Sequence, residues 1–348
     1  MLGTGIVGSV AALELAERGR RVAVVETGPP SALDLGHVLV GTGGPYSEVV
    51  RRRGREAARA LWEVHRENHE RLRAALARLG DDCGYRPAGG FLVAADRKEA
   101  EALAESEDAL RDDGFSGEFL DHYMLGARFD AEGFAGAYWA VDEAEVDGDR
   151  LAEVLAAAAA ARGAAFFHPG AVLEVELSPR GVEVYAAEGG LVAAQAVLAA
   201  EAFDPLTPWL SGRTAPLEAR GLTLATDPGL ALPSPARAVG GGHAWRLTEG
   251  ALRLAGWGPE PDLPGLGQRL GSQPRELAQA SATVADSRDG MPWIGLLPGL
   301  PAASACGFGR LVMAYAMIGA HWAVEALLSG RDATPALFRA ARPRLGSD

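Results

Sequence analysis

Short β-branched runs alternate along the chain with stretches of helical period. Residues 7–18 gather Glu14, Glu17 and Arg18 on one face and Ala12, Leu13 and Ala16 on the other, and Gly19 follows, which predicts a helix. The run Arg-Val-Ala-Val-Val-Glu at 21–26 predicts a buried strand. Residues 47–79 carry Leu61, Val64, Leu72, Leu76 and Leu79 on one stripe, predicting a single long helix that ends at the glycines of 80–84. A strand at 90–95 and an acidic surface helix at 97–113 come next; 119–140 reads as irregular, with several aromatics. An alanine-rich helix over 147–162 opens on Asp147 and Asp149, whose carboxylates suit a helix start. Strand-like runs occupy 164–168, 171–177 and 181–187, with a short apolar run at 194–200. Pro and Gly crowd 207–235, a hairpin at 243–247 and 251–257 turns at Glu249-Gly250, and 259–271 reads as a loop. Two further strands (294–297, 303–307), a last helix (311–328) and a frayed tail from 333 complete the pattern.

A chain of 348 residues, 48% hydrophobic, exceeds what one core ordinarily serves, so two domains are expected. The net charge of −13 repels polyanions and argues against a nucleic-acid partner. The basic run 51–55 reads as a solvated helix face. Cys83 and Cys306 are the only cysteines and show no metal-ligand spacing, as expected of reduced thiols in a cytoplasmic protein. His65 and His69 sit four apart, but no HExxH pattern or third ligand accompanies them, so they too read as a solvated helix face and no metal is expected. No uncharged apolar run reaches the roughly 18 residues of a membrane span. The apolar N-terminus lacks the basic region of a signal peptide.

Gly3, Gly5 and Gly8 form a GxGxxG, followed by the predicted helix, the predicted strand and an acid, Glu26, at its end. The first glycine permits a tight turn, the second admits a pyrophosphate to the backbone, and the third lets helix pack on strand. With Ile6 and Val7 in the first helical turn, the free N–H groups and positive dipole end would face the phosphates, while the Glu26 carboxylate would accept hydrogen bonds from a ribose. Together these features predict a site for an adenine dinucleotide. Only Met1 and Leu2 precede Gly3, where a hydrophobic strand ordinarily stands. The central strand of the sheet is therefore expected to be nearly absent: either the chain begins late or the domain is compromised.

Near the other end, Ser287-Arg288-Asp289-Gly290-Met291-Pro292-Trp293-Ile294-Gly295 is similar to the TPDGxPxIG stretch of the D-amino-acid-oxidase-like flavoenzymes, which include glycine and sarcosine oxidases and D-amino-acid dehydrogenases. Leu297-Pro298-Gly299 and residues 303–310 resemble the strand and GxG turn before that family's last helix. The N-terminal fingerprint, the helix after Asp147 and the strands after Val172 also match, so the resemblance covers almost the whole chain.

The resemblance implies an α/β fold: a Rossmann-like FAD-binding domain built from 1–80, 141–208 and 276–348, and an antiparallel-sheet substrate domain from 81–140 and 209–275. It implies non-covalent FAD, since the position of the family's tethering cysteine falls on Ala282. Gly3, Gly5, Ile6, Val7, Gly8, Glu26, Gly36, His37, Val172, Gly307, Gly309, Arg310 and Leu311 are the expected cofactor contacts. Arg310, matching a cationic position some members use for a carboxylate, and His243, where several carry a substrate-facing tyrosine, are the expected catalytic residues. The expected partner is a small amine or amino acid, oxidised at its C–N bond by hydride transfer to flavin. The chain departs from the family at 31–37, where of the usual glycine pair only Gly36 remains; at Ala199-Ala200-Glu201; at Leu311 and Val312; and at Val284, where glycine oxidases carry a second arginine. The alternative is a degenerate relative serving as a non-catalytic partner subunit. A flavin monooxygenase usually needs a Gly-Asp motif at the ribityl chain, and Asp289-Gly290 has the reversed order in a different context; a simple NAD dehydrogenase leaves the C-terminal match unexplained.

Overall fold

The computed structural model describes residues 1–348 apart from 27–32, 34, 130–132, 169–171, 200–211, 228, 249, 272–274 and 343–348. Its first layer is a mainly parallel sheet assembled from distant parts of the chain. Ala23–Val25 runs parallel to Ala165–Phe167. Ala196–Leu198 runs parallel to Ala302–Cys306, whose other neighbour, Trp293–Leu296, is antiparallel. Among the described residues the two halves meet through Leu2, which bridges Val25 on one side and Leu198 on the other, parallel to both. Leu2 N donates to Val197 O at 3.0 Å, Ala199 N to Leu2 O at 2.8 Å, and Gly3 N to Val25 O at 2.9 Å. The strand expected to be nearly absent is thus reduced to one bridging residue.

Helix Ile6–Glu17 packs against Gly148–Ala161 and Val312–Ser329, and the last of these also lies on the strands Trp293–Leu296 and Ala302–Cys306. Ile6–Glu17 is buried almost all round, from Ile6 to Leu13 without a break, so only its last turn has the polar face that its spacing suggested. A small antiparallel sheet (Val172–Ser178, Gly181–Ala186, Gly189–Ala193) adds Val175, Val182 and Val184 to a core shared with Leu2, Val25 and Leu198. Val312–Ser329, preceded by the turn from Gly309, has the length and apolarity of a membrane span, yet Met313–Ala320 are all buried in the fold and it reads as a core helix.

The second layer is an eight-stranded sheet in the order Glu276–Ser287, Thr214–Ala225, Ala251–Trp257, His243–Thr248, Ala236–Ala238, Gly90–Ala94, Gly136–Ala140, Gly117–Asp121. Its pairs are antiparallel except Ala236–Ala238 with Gly90–Ala94. It closes over its own core, centred on Trp245, Leu252 and Leu254. The α/β class, with one mainly parallel and one mainly antiparallel sheet, is as the sequence predicts.

Several local expectations fail for physical reasons. The long helix breaks at Gly54, whose φ of +85° no other residue readily adopts, into Tyr46–Arg53 and Arg55–Leu79. The stretch 119–140, read as irregular, holds most of strand Gly117–Asp121, helix His122–Arg128 and strand Gly136–Ala140. Thr214–Ala225 lies where Pro and Gly suggested loop, Glu276–Ser287 was not anticipated, and Leu263–Arg269 is helical inside the expected loop. Both strands are half exposed and rich in Ala, Ser, Thr and charged residues, so apolar runs could not reveal them.

The expected frayed tail is instead pinned through Arg342. Ile294 N donates to Phe338 O at 2.8 Å and Ala340 N to Ile294 O at 2.6 Å, extending the sheet edge. Phe338 and Ala340 are fully buried. Arg342 donates from Nε and Nη2 to the two oxygens of Asp289 (2.8 and 2.9 Å) and to the carbonyls of Met291 and Pro292, with its guanidinium 3.5 Å from the centre of the Trp293 ring. Charged hydrogen bonds contribute about 1.5–3 kcal/mol each and a desolvated cation–π contact about 2 kcal/mol. Arg342→Ala should therefore cost about 2–4 kcal/mol in urea unfolding and speed amide exchange at Ile294 and Ala340. A cost below about 0.5 kcal/mol would show that the tail is not anchored there.

Candidate functional site

The glycine turn at the head of the first layer has the geometry that its chemistry requires. Gly3 sits at φ +105°, and a Cβ on Gly8 would lie 2.1 Å from Gly3 O. Gly5 is the N-cap of Ile6–Glu17, with no side chain capping the helix, so the first-turn N–H groups are left for an anion. The side chains of Ile6 and Val7 are buried in the core, and only their backbone can serve a ligand. Glu26 follows the strand Ala23–Val25 and places Oε2 2.9 Å from His168 Nδ1, near the surface. Val172 opens its strand and packs, half-buried, against the cluster of Leu2 and Val25.

A cavity opens between the two layers, at the start of the last helix. Its wall brings together His37, Arg237, His243, Gly309, Arg310 and Leu311, with an apolar remainder that includes Leu33, Leu35, Val284 and Met313. The turn before the helix needs its glycines: Gly307 has φ +75° and Gly309 φ +51°, and a Cβ on Gly309 would meet Asp286 Oδ1 at 2.2 Å. No side chain caps Val312–Ser329, so this N-terminus is also open to a negative group. Gly307 lies outside the cavity wall, close to Thr214 and Trp293. Arg310 lies against Gly241, where a Cβ would sit 2.8 Å from its Nε. Gly36, at φ +69°, also lies outside the wall and admits no Cβ, which would be 1.8 Å from Val146 O.

His243 begins its strand and joins the wall beside Ala244, although simple alternation would put the two on opposite faces; Trp245 belongs to the second core. Its Nε2 is buried and has no hydrogen-bond partner among the described residues. Burial, then the charge of Arg269, lower its pKa from the ordinary value and favour the neutral ring. Asp286, beneath the turn, is pushed up by burial against the pull of Arg310.

Glu143 was not singled out from sequence, yet it ties the cavity wall together. It accepts from His37 Nε2 (2.8 Å), Val40 N (3.1 Å), and Arg237 Nη1 and Nη2 (2.8 and 2.9 Å). Arg237 Nε donates in turn to Thr42 O at 3.2 Å. Burial alone would raise the carboxyl pKa, but Arg237 and then His37 outweigh it and hold Glu143 at about 2. Burial lowers the pKa of His37, so the ring is neutral and donates through Nε2. Two residues on, Glu145 pairs with Arg246 at 2.8 Å and with Arg86, while Arg246 donates to the carbonyls of Leu35 and Val146. Little in the sequence marks these residues: Glu143 and Glu145 stand among further acids, Asp142, Asp147 and Asp149, and only the single arginines at 237 and 246, among small and apolar neighbours, hint at burial.

His65 and His69 do not form the solvated face expected of them; both are buried. His65 Nδ1 accepts from Gly41 N at 3.0 Å with its ring edge-on to Tyr315, and burial pushes its pKa down to about 3. His69 bridges Asp142 O and the Tyr85 hydroxyl, both at 2.8 Å.

A sequence model of the DAO family, described as FAD dependent oxidoreductase, matches residues 2–326. None of the curated proteins matches the chain. Among solved structures, glycine oxidase from Geobacillus kaustophilus superposes with a TM-score of 0.79 at 20% identity, covering 98% of this chain and 97% of that one. Glycine oxidase from Bacillus cereus ATCC 14579 gives 0.76 at 19% identity, with 95% and 94% covered. L-proline dehydrogenase from P. horikoshii gives 0.72 at 17% identity, with 96% and 94% covered. At these identities the likeness is one of fold.

Removing one partner of a buried ion pair costs about 3–5 kcal/mol, whereas removing both with apolar replacements is often near neutral. Glu143→Ala should therefore lower stability at pH 7 by about 3–5 kcal/mol, and Glu143→Leu combined with Arg237→Met should recover most of it in urea unfolding. The folded pKa of Glu143 is depressed, so its contribution is whole above its ordinary 4.5 and is lost as pH falls toward about 2. The neutral His65 adds a loss that begins below its ordinary 6.5 and runs toward about 3. The stability of the double variant should fall less between pH 4.5 and 2 than that of the parent, with the remainder coming from His65 and from carboxyls such as Asp289 that are also held below their ordinary value; an unchanged acid limb would show that Glu143 does not contribute to it.

Proposed function

The chain belongs to the DAO family of FAD dependent oxidoreductases, and from that premise we propose that it binds FAD non-covalently and oxidises the C–N bond of an amino acid or a simple amine. The observation that carries this reading is the cavity at the uncapped start of Val312–Ser329, with Arg310 and His243 in one wall.

The residues present fit the cofactor at both ends. The turn at Gly3 and Gly8 leaves no room for a Cβ and opens a helix end toward a pyrophosphate, with Glu26 in reach of a ribose once His168 turns aside. The turn at Gly309–Leu311 and the backbone of the last helix would face the flavin ring. FAD, when bound, supplies the acceptor for a hydride leaving the carbon next to nitrogen. Arg310 then holds the substrate's carboxylate through its planar fork. His243 Nε2 offers a hydrogen bond to the bound molecule. Val284 and Leu311 keep water from the reacting carbon.

Cys306 is fully buried against Trp293 O and Ala282 has no nucleophile, which supports non-covalent attachment. Two buried, unpaired thiols suit a reducing compartment such as the cytoplasm. We take the cofactor domain as 1–80, 141–208 and 276–348 and the substrate domain as 81–140 and 209–275, with Glu276–Ser287 carrying the chain from the eight-stranded sheet back to the Asp289 segment.

Two experiments test this reading. Protein reconstituted with FAD should hold it through gel filtration and lose all colour to the supernatant on acid precipitation. Glu26→Ala should weaken retention at least about 10-fold, by removal of charged hydrogen bonds of about 1.5–3 kcal/mol each. Failure to retain any flavin would favour a non-catalytic subunit. For the substrate, Arg310→Met should lose at least about 100-fold in kcat/KM on amino acids, chiefly through KM, and spare the matching decarboxylated amines. Equal loss on both would reassign Arg310 to the flavin.

A further inference from the structure

The cavity between the two layers has an uneven wall. It carries two guanidinium groups, Arg237 and Arg310, and two imidazoles, His37 and His243, and among its described residues no carboxylate. An amino acid at neutral pH brings an ammonium group as well as a carboxylate. Arg310 can take the carboxylate, but no described acid in the wall meets the ammonium, and a cation taken out of water without an opposite charge is costly. A carbon next to an ammonium also cannot release hydride, because the electron pair that must form the C=N bond is held in an N–H bond. The wall therefore favours a substrate nitrogen that has given up one proton, and it needs a group to receive that proton.

His37 is built for that task. It pairs with Glu145 in a short antiparallel ladder and lines the cavity. Its Nε2 lies 2.8 Å from Glu143 Oε2, and the same carboxylate takes Nη1 and Nη2 of Arg237 at 2.8 and 2.9 Å. Glu143 is ionised at neutral pH and can only accept, so the His37 proton sits on Nε2. Burial lowers the pKa of the ring, Glu143 pulls it up, Arg237 lowers it again and Glu145 raises it; burial prevails, and the ring is neutral with a bare lone pair on Nδ1. That nitrogen has no hydrogen-bond partner among the described residues and is not sealed in the core as Nε2 of His65 is, so it opens on the cavity. A carboxylate, an imidazole and an open lone pair in succession make a general base: the carboxylate fixes the tautomer and stabilises the imidazolium that forms. His243, elsewhere in the wall, makes no hydrogen bond among the described residues that would fix its tautomer in the same way.

We propose, resting on the reading that the chain oxidises amino acids, that His37 is the base that takes the proton from the substrate's ammonium group, its ring held by Glu143. The N–H bond of the substrate breaks, its electron pair stays on nitrogen, and the proton joins His37 Nδ1. The imidazolium now carries the positive charge that the substrate has lost, beside the Glu143 carboxylate. The freed pair is then available to form the C=N bond as hydride leaves the adjacent carbon, and the ring returns its proton to water when the product departs. Among the groups around the ring, Glu143 and Glu145 favour this charged state, while Arg237 on one side and Arg310 across the cavity oppose it, Arg310 least when it holds the substrate's carboxylate.

Two measurements test this. Nitrogen NMR of the chain with labelled histidine, assigned with His37→Gln, should show the His37 ring neutral at pH 7 with its proton on Nε2; a proton on Nδ1 would overturn the proposal without any assay of activity. In the FAD-loaded chain, kcat/KM on an amino acid should stay level from pH 7 up to the pH at which the substrate's own amine loses its proton. His37→Gln should lower it at least about 100-fold at pH 7. The loss should shrink by about 10-fold per pH unit and vanish once the substrate arrives as the free amine, which needs no base. A purely structural role would give the same loss at every pH, and that result, or no loss at all, would overturn the proposal. So would release of flavin from His37→Gln, which would assign the ring to the cofactor. If the parent oxidises amino acids and only the pH dependence of the loss is missing, the proposed function stands and the role of His37 falls; a parent that oxidises no amine sinks both.

Discussion

Glu143 is a carboxylate with no access to water, and two separate regions depend on how it is satisfied. It accepts from His37 and Val40, in the segment that leads out of the first layer, and from Arg237, at the middle of the eight-stranded sheet. A buried charge without partners would destabilise the fold by several kcal/mol, so the pair with Arg237 fixes where the sheet sits against that segment. Gly90, where a Cβ would lie 2.1 Å from Glu143 Oε2 and 2.3 Å from His37 Nε2, leaves the space the group occupies. Glu145 repeats the arrangement nearby, with Arg246 reaching from the sheet to the carbonyls of Leu35 and Val146. The cavity between the layers keeps its shape because polar contacts on its wall are made before any ligand arrives.

The same economy governs the two helix ends. A helix start whose N–H groups meet no side chain is a cost unless water or a ligand satisfies them. Here both uncapped starts follow glycine turns, at Gly3–Gly5 and Gly307–Gly309, and both turns come directly after interior positions of the same mainly parallel sheet, Leu2 and Ala302–Cys306. Under the proposed function, the two open positive helix ends would each meet a negative part of one elongated dinucleotide, which an ordinary glycine-rich loop does not require.

What could be read from sequence follows the strength of local signals. The first helix, the hairpin around residue 250, the last helix and the glycine turns rest on short-range patterns, and these elements form where expected. Thr214–Ala225 and Glu276–Ser287 gain their partners from remote segments and carry few β-branched residues, so nothing local marks them. His65 and His69 show the same limit: their spacing suited a solvated face, and only tertiary packing buries them, His65 against Tyr315 of the last helix and His69 against Tyr85 and Asp142. The cavity wall was legible at Gly309, Arg310 and Leu311, whereas Gly36 and Gly307, expected beside them, lie outside it. It was not legible at Glu143, Arg237 and Arg246, because a charge meant for burial looks like any other charge until its partner is known.

That last point decides which cation can serve a ligand. Two guanidinium groups line the cavity, Arg237 and Arg310, and composition alone makes them equivalent. They differ in what they already hold. Arg237 spends Nη1 and Nη2 on Glu143 and Nε on Thr42 O, so its charge is balanced and its donors are occupied. Arg310 makes no hydrogen bond among the described residues, and the carboxyl that acts on it electrostatically, Asp286, is itself pushed toward the neutral form by burial. A carboxylate entering the cavity would find no free donor on Arg237 and would have to break a buried ion pair to gain one, whereas Arg310 offers its fork at no such cost. With Val284 contributing only an apolar side chain to the same wall, Arg310 is the one guanidinium free for an anion among the described residues of the wall, and under the proposed function that would favour a substrate with a single carboxylate over a dicarboxylate.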